Sequence, residues 1–208
     1  MPGETFQDIP VLLFATPQKW EAWLAKNHPD PKGIWMRIAK KDSEETSVTY
    51  AEALDGALCY GWIDGQKQKY DEVSWLQKFT PRRPKSPWSK INTGHAERLI
   101  KTGKMKAAGL RQIEEAKKDG RWHSAYDSHG TFTIPADFLK EVNKNKKAKA
   151  FFKTLSRVNL YALAYRLQTA KRPETREKRM KTYLEMLKQG KSIHPTGKND
   201  HPIERKKR

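Results

Sequence analysis

Trp62-Ile-Asp-Gly-Gln-Lys-Gln-Lys-Tyr70 runs through Asp71-Glu72 into Val73-Ser-Trp-Leu-Gln-Lys-Phe-Thr80. The first half reads as a strand, Asp71-Glu72 as a turn, and the second half as the hairpin partner. Just upstream, Thr49 is placed to cap a helix from about Tyr50 to Tyr60, with Ala53, Leu54, Ala57 and Leu58 on one face. Gly33 to Lys40 is rich in aromatic and β-branched residues and alternates as a strand does. Before it, Thr16-Pro17 supplies a cap and a first-turn proline for a helix carrying Trp20, Trp23 and Leu24, which ends near Asn27. Strand, helix, strand, strand is an α+β arrangement: a small antiparallel sheet with helices in the N-terminal part.

Beyond the hairpin, Phe79-Thr-Pro-Arg-Arg-Pro-Lys-Ser-Pro-Trp-Ser-Lys-Ile-Asn92 packs four cations and three prolines into fourteen residues. Proline fixes φ and removes a backbone donor, so a stiff, extended connection is expected. The periodicity then turns helical. Asn92 or Thr93 is placed to cap a helix that stops at Thr102-Gly103, and Met105 to Lys118 follows with Leu110, Ile113 and Ala116 inward. After a polar link come helices over Pro135 to Val142, Lys147 to Leu155 and Arg157 to Ala170. A last helix starts at Pro173, carries Met180, Tyr183, Leu184 and Leu187, and ends before Gly190. This gives an α+β domain over residues 1–125, a helical domain over 126–190, and a basic tail over 191–208 that is expected to be disordered.

The formal net charge of +18 calls for an anionic partner. It is unevenly spread: residues 1–75 hold eight Lys/Arg against twelve Asp/Glu, and residues 76–208 hold thirty-four against twelve. The partner is therefore expected on the later two-thirds of the chain. Twenty-one Phe, Trp and Tyr support a folded protein. One cysteine, Cys59, excludes an intramolecular disulfide and sits in an apolar run as a buried small hydrophobe. With neither a secretory signal pattern nor a transmembrane-length apolar window, the chain is expected to be soluble and cytoplasmic.

The six histidines form no metal motif, and no Walker loop or Gly-x-Ser-x-Gly elbow is present, so neither metal nor cofactor is expected and no catalytic residue is assigned. Asp64 lies between Gly61 and Gly65 at a strand start, where it would pair with Arg82 or Arg83. A lone acid beside cations suits recognition better than acid–base chemistry. In the leading reading, the Trp62-Asp64 turn and the Arg82–Asn92 loop bind an anionic small molecule or macromolecule. Arg82, Arg83 and Lys90 would hold the charge, Trp88 would stack, and Ser89 and Asn92 would donate hydrogen bonds. A second reading is non-specific nucleic-acid binding by the basic helices and tail. A third is an enzyme using Asp64. The sequence leaves the oligomeric state open.

Several ordered segments resemble the YdeI/OmpD-associated family, also called bacteriocin-protection proteins. They are Gly33-Ile-Trp-Met36, Tyr50-Ala-Glu-Ala53, Ala57-Leu-Cys-Tyr-Gly-Trp-Ile-Asp-Gly65, Phe79-Thr-Pro-Arg-Arg83 and Trp88-Ser-Lys-Ile-Asn92. Glu97-Arg-Leu-Ile100, Gly103-Lys-Met105, Ala116-Lys-Lys-Asp-Gly-Arg-Trp122 and Ala170-Lys-Arg-Pro-Glu-Thr-Arg176 complete the set. The resemblance spans roughly residues 5–190. It implies a YdeI-like first domain, an OmpD-associated-like helical domain, and a role in stress protection against antimicrobial peptides without an established catalytic reaction. A cationic protein repels cationic peptides, so protection would act through an anionic surface or metabolite.

Overall fold

Thr16 and Thr49 start the two helices that cover the sheet. Thr16 accepts the Lys19 amide at the head of α1 (Pro17–Asn27). Thr49 and Glu52 form a reciprocal capping box at the head of α2 (Tyr50–Cys59). The computed structural model describes residues 4–194. The chain divides into two compact units, one running up to His123 and the other starting at Ser124.

In the first unit, β1 (Thr5–Phe6), β2 (Ile9–Leu13), β3 (Ile34–Ala39), β4 (Trp62–Lys69) and β5 (Ser74–Pro81) form one sheet in the order β1-β2-β3-β5-β4. The 62–80 hairpin forms as read. The sheet is mixed rather than purely antiparallel, because β2 pairs parallel with β3. The α1 crossover between them brings the chain back in the same direction. Pro10 faces Thr5 of β1 and lies outside the Val11–Leu13 register with β3, so its missing N–H removes no bond from that ladder.

Trp20 and Leu24 of α1 and Ala53 and Ala57 of α2 pack on Ile34, Met36, Ile38, Trp62 and Phe79. Trp20 Nε1 donates to the Ala53 carbonyl at 3.0 Å, and Trp62 Nε1 to the His28 carbonyl at 2.9 Å. A Cβ at Gly56 would lie 2.7 Å from the Trp20 ring, so only glycine lets α2 approach that indole.

Helices α3 (Lys90–Lys101) and α4 (Ala107–Lys118) both pack on α2. α3 begins earlier than the Asn92/Thr93 expectation: Ser89, in extended backbone, is its cap and accepts the Asn92 amide at 3.2 Å. Leu110 is 36 % exposed rather than inward, and Gly109 holds the buried position beside it.

The second unit is helical: α5 (Ala136–Lys144), α6 (Lys146–Phe152), α7 (Arg157–Gln168) and α8 (Pro173–Lys188). Its core gathers Phe138, Val142, Leu155, Leu163, Leu167, Tyr183 and Leu187. Asn145 and Ser156 cap α6 and α7. Of the segment read as a disordered tail, residues 191–194 are held. Buried Asn159 accepts the His194 amide at 2.8 Å, and Ile193 packs on the core. Residues 195–208 lie outside the described residues. No described helix is long and apolar enough to cross a membrane.

Candidate anion-binding cleft

The hairpin register changes between Asp64 and Lys67. Asp64 faces Phe79 and Lys67 faces Gln77, so β4 advances three residues while β5 advances two. This is a one-residue bulge at Gly65-Gln66. Gln77, 3 % exposed, donates from Nε2 to the Gly65 and Gln66 carbonyls at 2.9 and 3.2 Å and fixes it. Side chains alternate along a strand, so the bulge inverts the facing of everything after it. Trp62 and Asp64 lie on the face covered by the helices, and the bulge puts Lys67 and Lys69 on that same face. Without it, Gln66 and Gln68 would stand there.

On that face the helix layer ends at Tyr50, while the sheet continues to Ile38, Trp75 and Lys69, which are aligned across three strands. The result is a cleft of about 590 Å³. Lys40, Lys41, Lys67 and Lys69 line it, with no Asp or Glu among the lining residues. Lys67 Nζ lies 4.0 Å from the centroid of the half-buried Trp75 ring, and Tyr50 stands 6.1 Å from the same ring. Lys40 is anchored on the Asp71 and Glu72 carbonyls, and Lys69 pairs with Glu72 at 2.8 Å. Neither Lys41 nor Lys67 has an ion-pair partner among the described residues.

Tyr50 donates its hydroxyl to Asp64 Oδ2 at 2.8 Å. Burial of the hydroxyl, and then the Asp64 charge, push its ionisation well above the ordinary tyrosine value. Tyr50 therefore remains a hydrogen-bond donor and the pair holds its proton. No ion pair joins Asp64 to Arg82 or Arg83 among the described residues; its partner is this phenol.

The proline loop turns inward. The Ser86 amide donates to the Arg83 carbonyl at 3.0 Å, closing a turn with Pro84 and Lys85 at its corner. Lys85 takes φ +62°, as the third residue of a type II turn requires, so the segment is not extended throughout. Arg82 is 6 % exposed: its Nη2 donates to the Pro87 carbonyl at 2.6 Å and its guanidinium lies 3.8 Å over the Trp88 ring. Trp88 is 2 % exposed and packs 4.9 Å from Trp122. Arg121 ties the loop down through the Ser86 carbonyl at 2.9 Å.

The residues named from sequence thus fall into separate roles. Trp62 is core, Asp64 anchors Tyr50, and Arg82 with Trp88 forms a buried stack. Ser89 and Asn92 make the α3 cap, while Arg83 and Lys90 are exposed. Sequence reasoning missed the cleft lysines, Tyr50 and Trp75. The available signal was that four of the eight cations in residues 1–75 are the paired positions 40/41 and 67/69. Averaging charge over the segment made it look acidic and hid them.

A second cleft, of about 520 Å³, opens beside α1 and α2 with Cys59 in its wall. Most of its charges are engaged: Lys106 pairs with Glu21 at 2.7 Å, Asp55 with Arg98 at 2.6 Å, and Glu52 closes the α2 capping box. Burial, with the Asp55 and Glu21 charges, pushes the Cys59 thiol up to about 11, so it is no nucleophile at neutral pH.

No curated protein and no solved structure matches the chain. Residues 12–112, which contain β3, β4, β5 and the lysine cleft, match a domain of unknown function (DUF8412). Residues 131–190 match the family described as bacteriocin-protection, YdeI or OmpD-associated. The helical unit of this chain thus contains the match to the bacteriocin-protection, YdeI or OmpD-associated family, and the mixed-sheet unit before it contains the match to the domain of unknown function.

Proposed function

We propose that the first unit binds a small anionic ligand with a planar portion in the lysine cleft, and that this binding is its contribution to the protection role associated with the helical domain. The observation carrying this reading is the bulge at Gly65-Gln66, which brings Lys67 and Lys69 onto the same face as Trp75. Lys41 and Lys67 are the cations available to a carboxylate or phosphate, Trp75 is the stacking surface, and the ring of Tyr50, whose hydroxyl proton is committed to Asp64, closes the rim. Lys40 and Lys69, held by the 71–72 turn, supply fixed field. An anionic metabolite also removes the difficulty of a cationic protein meeting a cationic peptide. The arrangement favours recognition: Asp64 is engaged and Tyr50 resists ionisation.

Calorimetric titration with phenyl phosphate, inorganic phosphate and phenol tests it. Charge and ring together are expected to bind at least tenfold more tightly than either alone. Equal affinity for phenol and phenyl phosphate would refute the role of the lysines.

A further inference from the structure

The second unit carries a different cationic feature. From residue 142 to residue 173 the sequence has nine Lys/Arg and no Asp/Glu. Four of these, Lys146, Lys147, Lys149 and Lys153, are exposed on α6 and the turn that ends it. None of the four side-chain ammonium groups has a hydrogen-bond or ion-pair partner among the described residues. The neighbouring α8 is different: there Glu177 pairs with Lys181 at 2.8 Å and Glu185 with Lys188 at 3.3 Å. A merely solvated helix gains from such pairs, and like charges three or four residues apart destabilise it. Lys146, Lys149 and Lys153 have that repulsive spacing without relief.

We propose that this face is a sequence-independent docking surface for the phosphate backbone of a nucleic-acid duplex. The stripe from 146 to 153 rises about 10 Å along the helix, which spans roughly three phosphates of one strand. Phe151 and Phe152 pack on the core of the unit, which leaves Ala150 as the outward apolar residue. The face therefore lacks the apolar wedge that an interfacial membrane helix buries and the aromatics that stack single-stranded bases. Charge complementarity with a regular phosphate array remains.

Fluorescence anisotropy with a labelled 20-base-pair duplex between 50 and 300 mM KCl tests this. Three phosphate contacts at about −0.9 each give a log–log salt slope difference near 2.7 between the wild type and Lys146→Gln/Lys147→Gln/Lys149→Gln/Lys153→Gln. Affinity at 100 mM salt should fall at least tenfold. The fourfold Arg variant should keep the slope, and Lys181→Gln/Lys188→Gln should change it by less than one. Circular dichroism should show the Gln variant melting at or above the wild-type temperature; if it does not fold, the Arg and α8 variants decide. No duplex binding at 50 mM salt overturns the proposal, as does a slope difference below one. Tighter binding to phosphatidylserine vesicles than to duplex, lost in the Gln variant, also overturns it and assigns the face to membranes.

Discussion

Gly109→Ala should destabilise the first unit, although alanine is the better helix former. Gly109 sits inside α4 where that helix crosses the end of α2. A Cβ there would meet the Cys59 carbonyl oxygen at 2.5 Å, the Leu58 carbonyl oxygen at 2.6 Å and Met105 Sδ at 2.5 Å. The Met105 side chain can rotate away, but the two carbonyls belong to α2 backbone and cannot. The helices must separate. Gly109 lies in the first turn of α4, so replacing it by alanine contributes at most about 1 kcal/mol in favour of the fold. Overpacking against fixed neighbours costs about 1–3 kcal/mol. With backbone on the receiving side the upper part of that range applies, for a net loss of about 1–2 kcal/mol. All seven tryptophans lie at or before residue 122, so indole fluorescence reads the unfolding of this unit alone. With a urea m-value of roughly 1.5 kcal/mol/M, the midpoint should fall by about 1 M. A midpoint that rises would mean that propensity outweighs contact and that the α2–α4 crossing is looser than described.

Other consequences are equally direct. Tyr50 should ionise above the ordinary tyrosine value near 10. The unfolded chain then loses its proton first, so this part of the stability is intact below pH 10 and falls as pH rises beyond it. Difference absorbance titration of wild type against Tyr50→Phe checks this, and a missing transition at or below pH 10 would contradict it. Cys59 should react with a disulfide reagent at pH 7.5 far more slowly in the native protein than in urea, since its thiol is buried and raised to about 11. Comparable rates would show that the wall of the second cleft opens. Asn159→Ala should cost the second unit about 0.5–1.5 kcal/mol by removing the bonds that hold the His194 amide and carbonyl, and should speed tryptic cleavage after Lys191.

What could be read from the sequence was mostly what lies within a few residues of its cause. Thr16-Pro17, Thr49 and Pro173 announce helix starts because a cap acts on the next turn, and all three helices form there. The 62–80 hairpin was legible for the same reason. The parallel pairing of β2 with β3 was not, because partner choice depends on where α1 returns the chain rather than on residues 9–13. The site was harder still. Prolines and arginines drew attention to residues 79–92, but composition does not say which way a guanidinium points, and Arg82 lies over Trp88 inside the unit. The cleft depends on a one-residue bulge whose signature is a glycine in a strand. Gly65 marks the spot, yet only the register of Gln77 against Lys67 reveals that the lysines change face.

Phenyl phosphate affinity in two paired variants separates the lysine cleft from the proline loop. Lys41→Gln/Lys67→Gln empties the cleft of its available cations, and Arg83→Gln/Lys85→Gln removes exposed cations from the proline loop. Two exposed charge contacts contribute up to about 1 kcal/mol each, so the first pair should weaken binding roughly tenfold. The second pair should leave affinity unchanged. Binding that survives loss of the cleft lysines and falls with the loop pair would contradict the account and return the site to the proline loop.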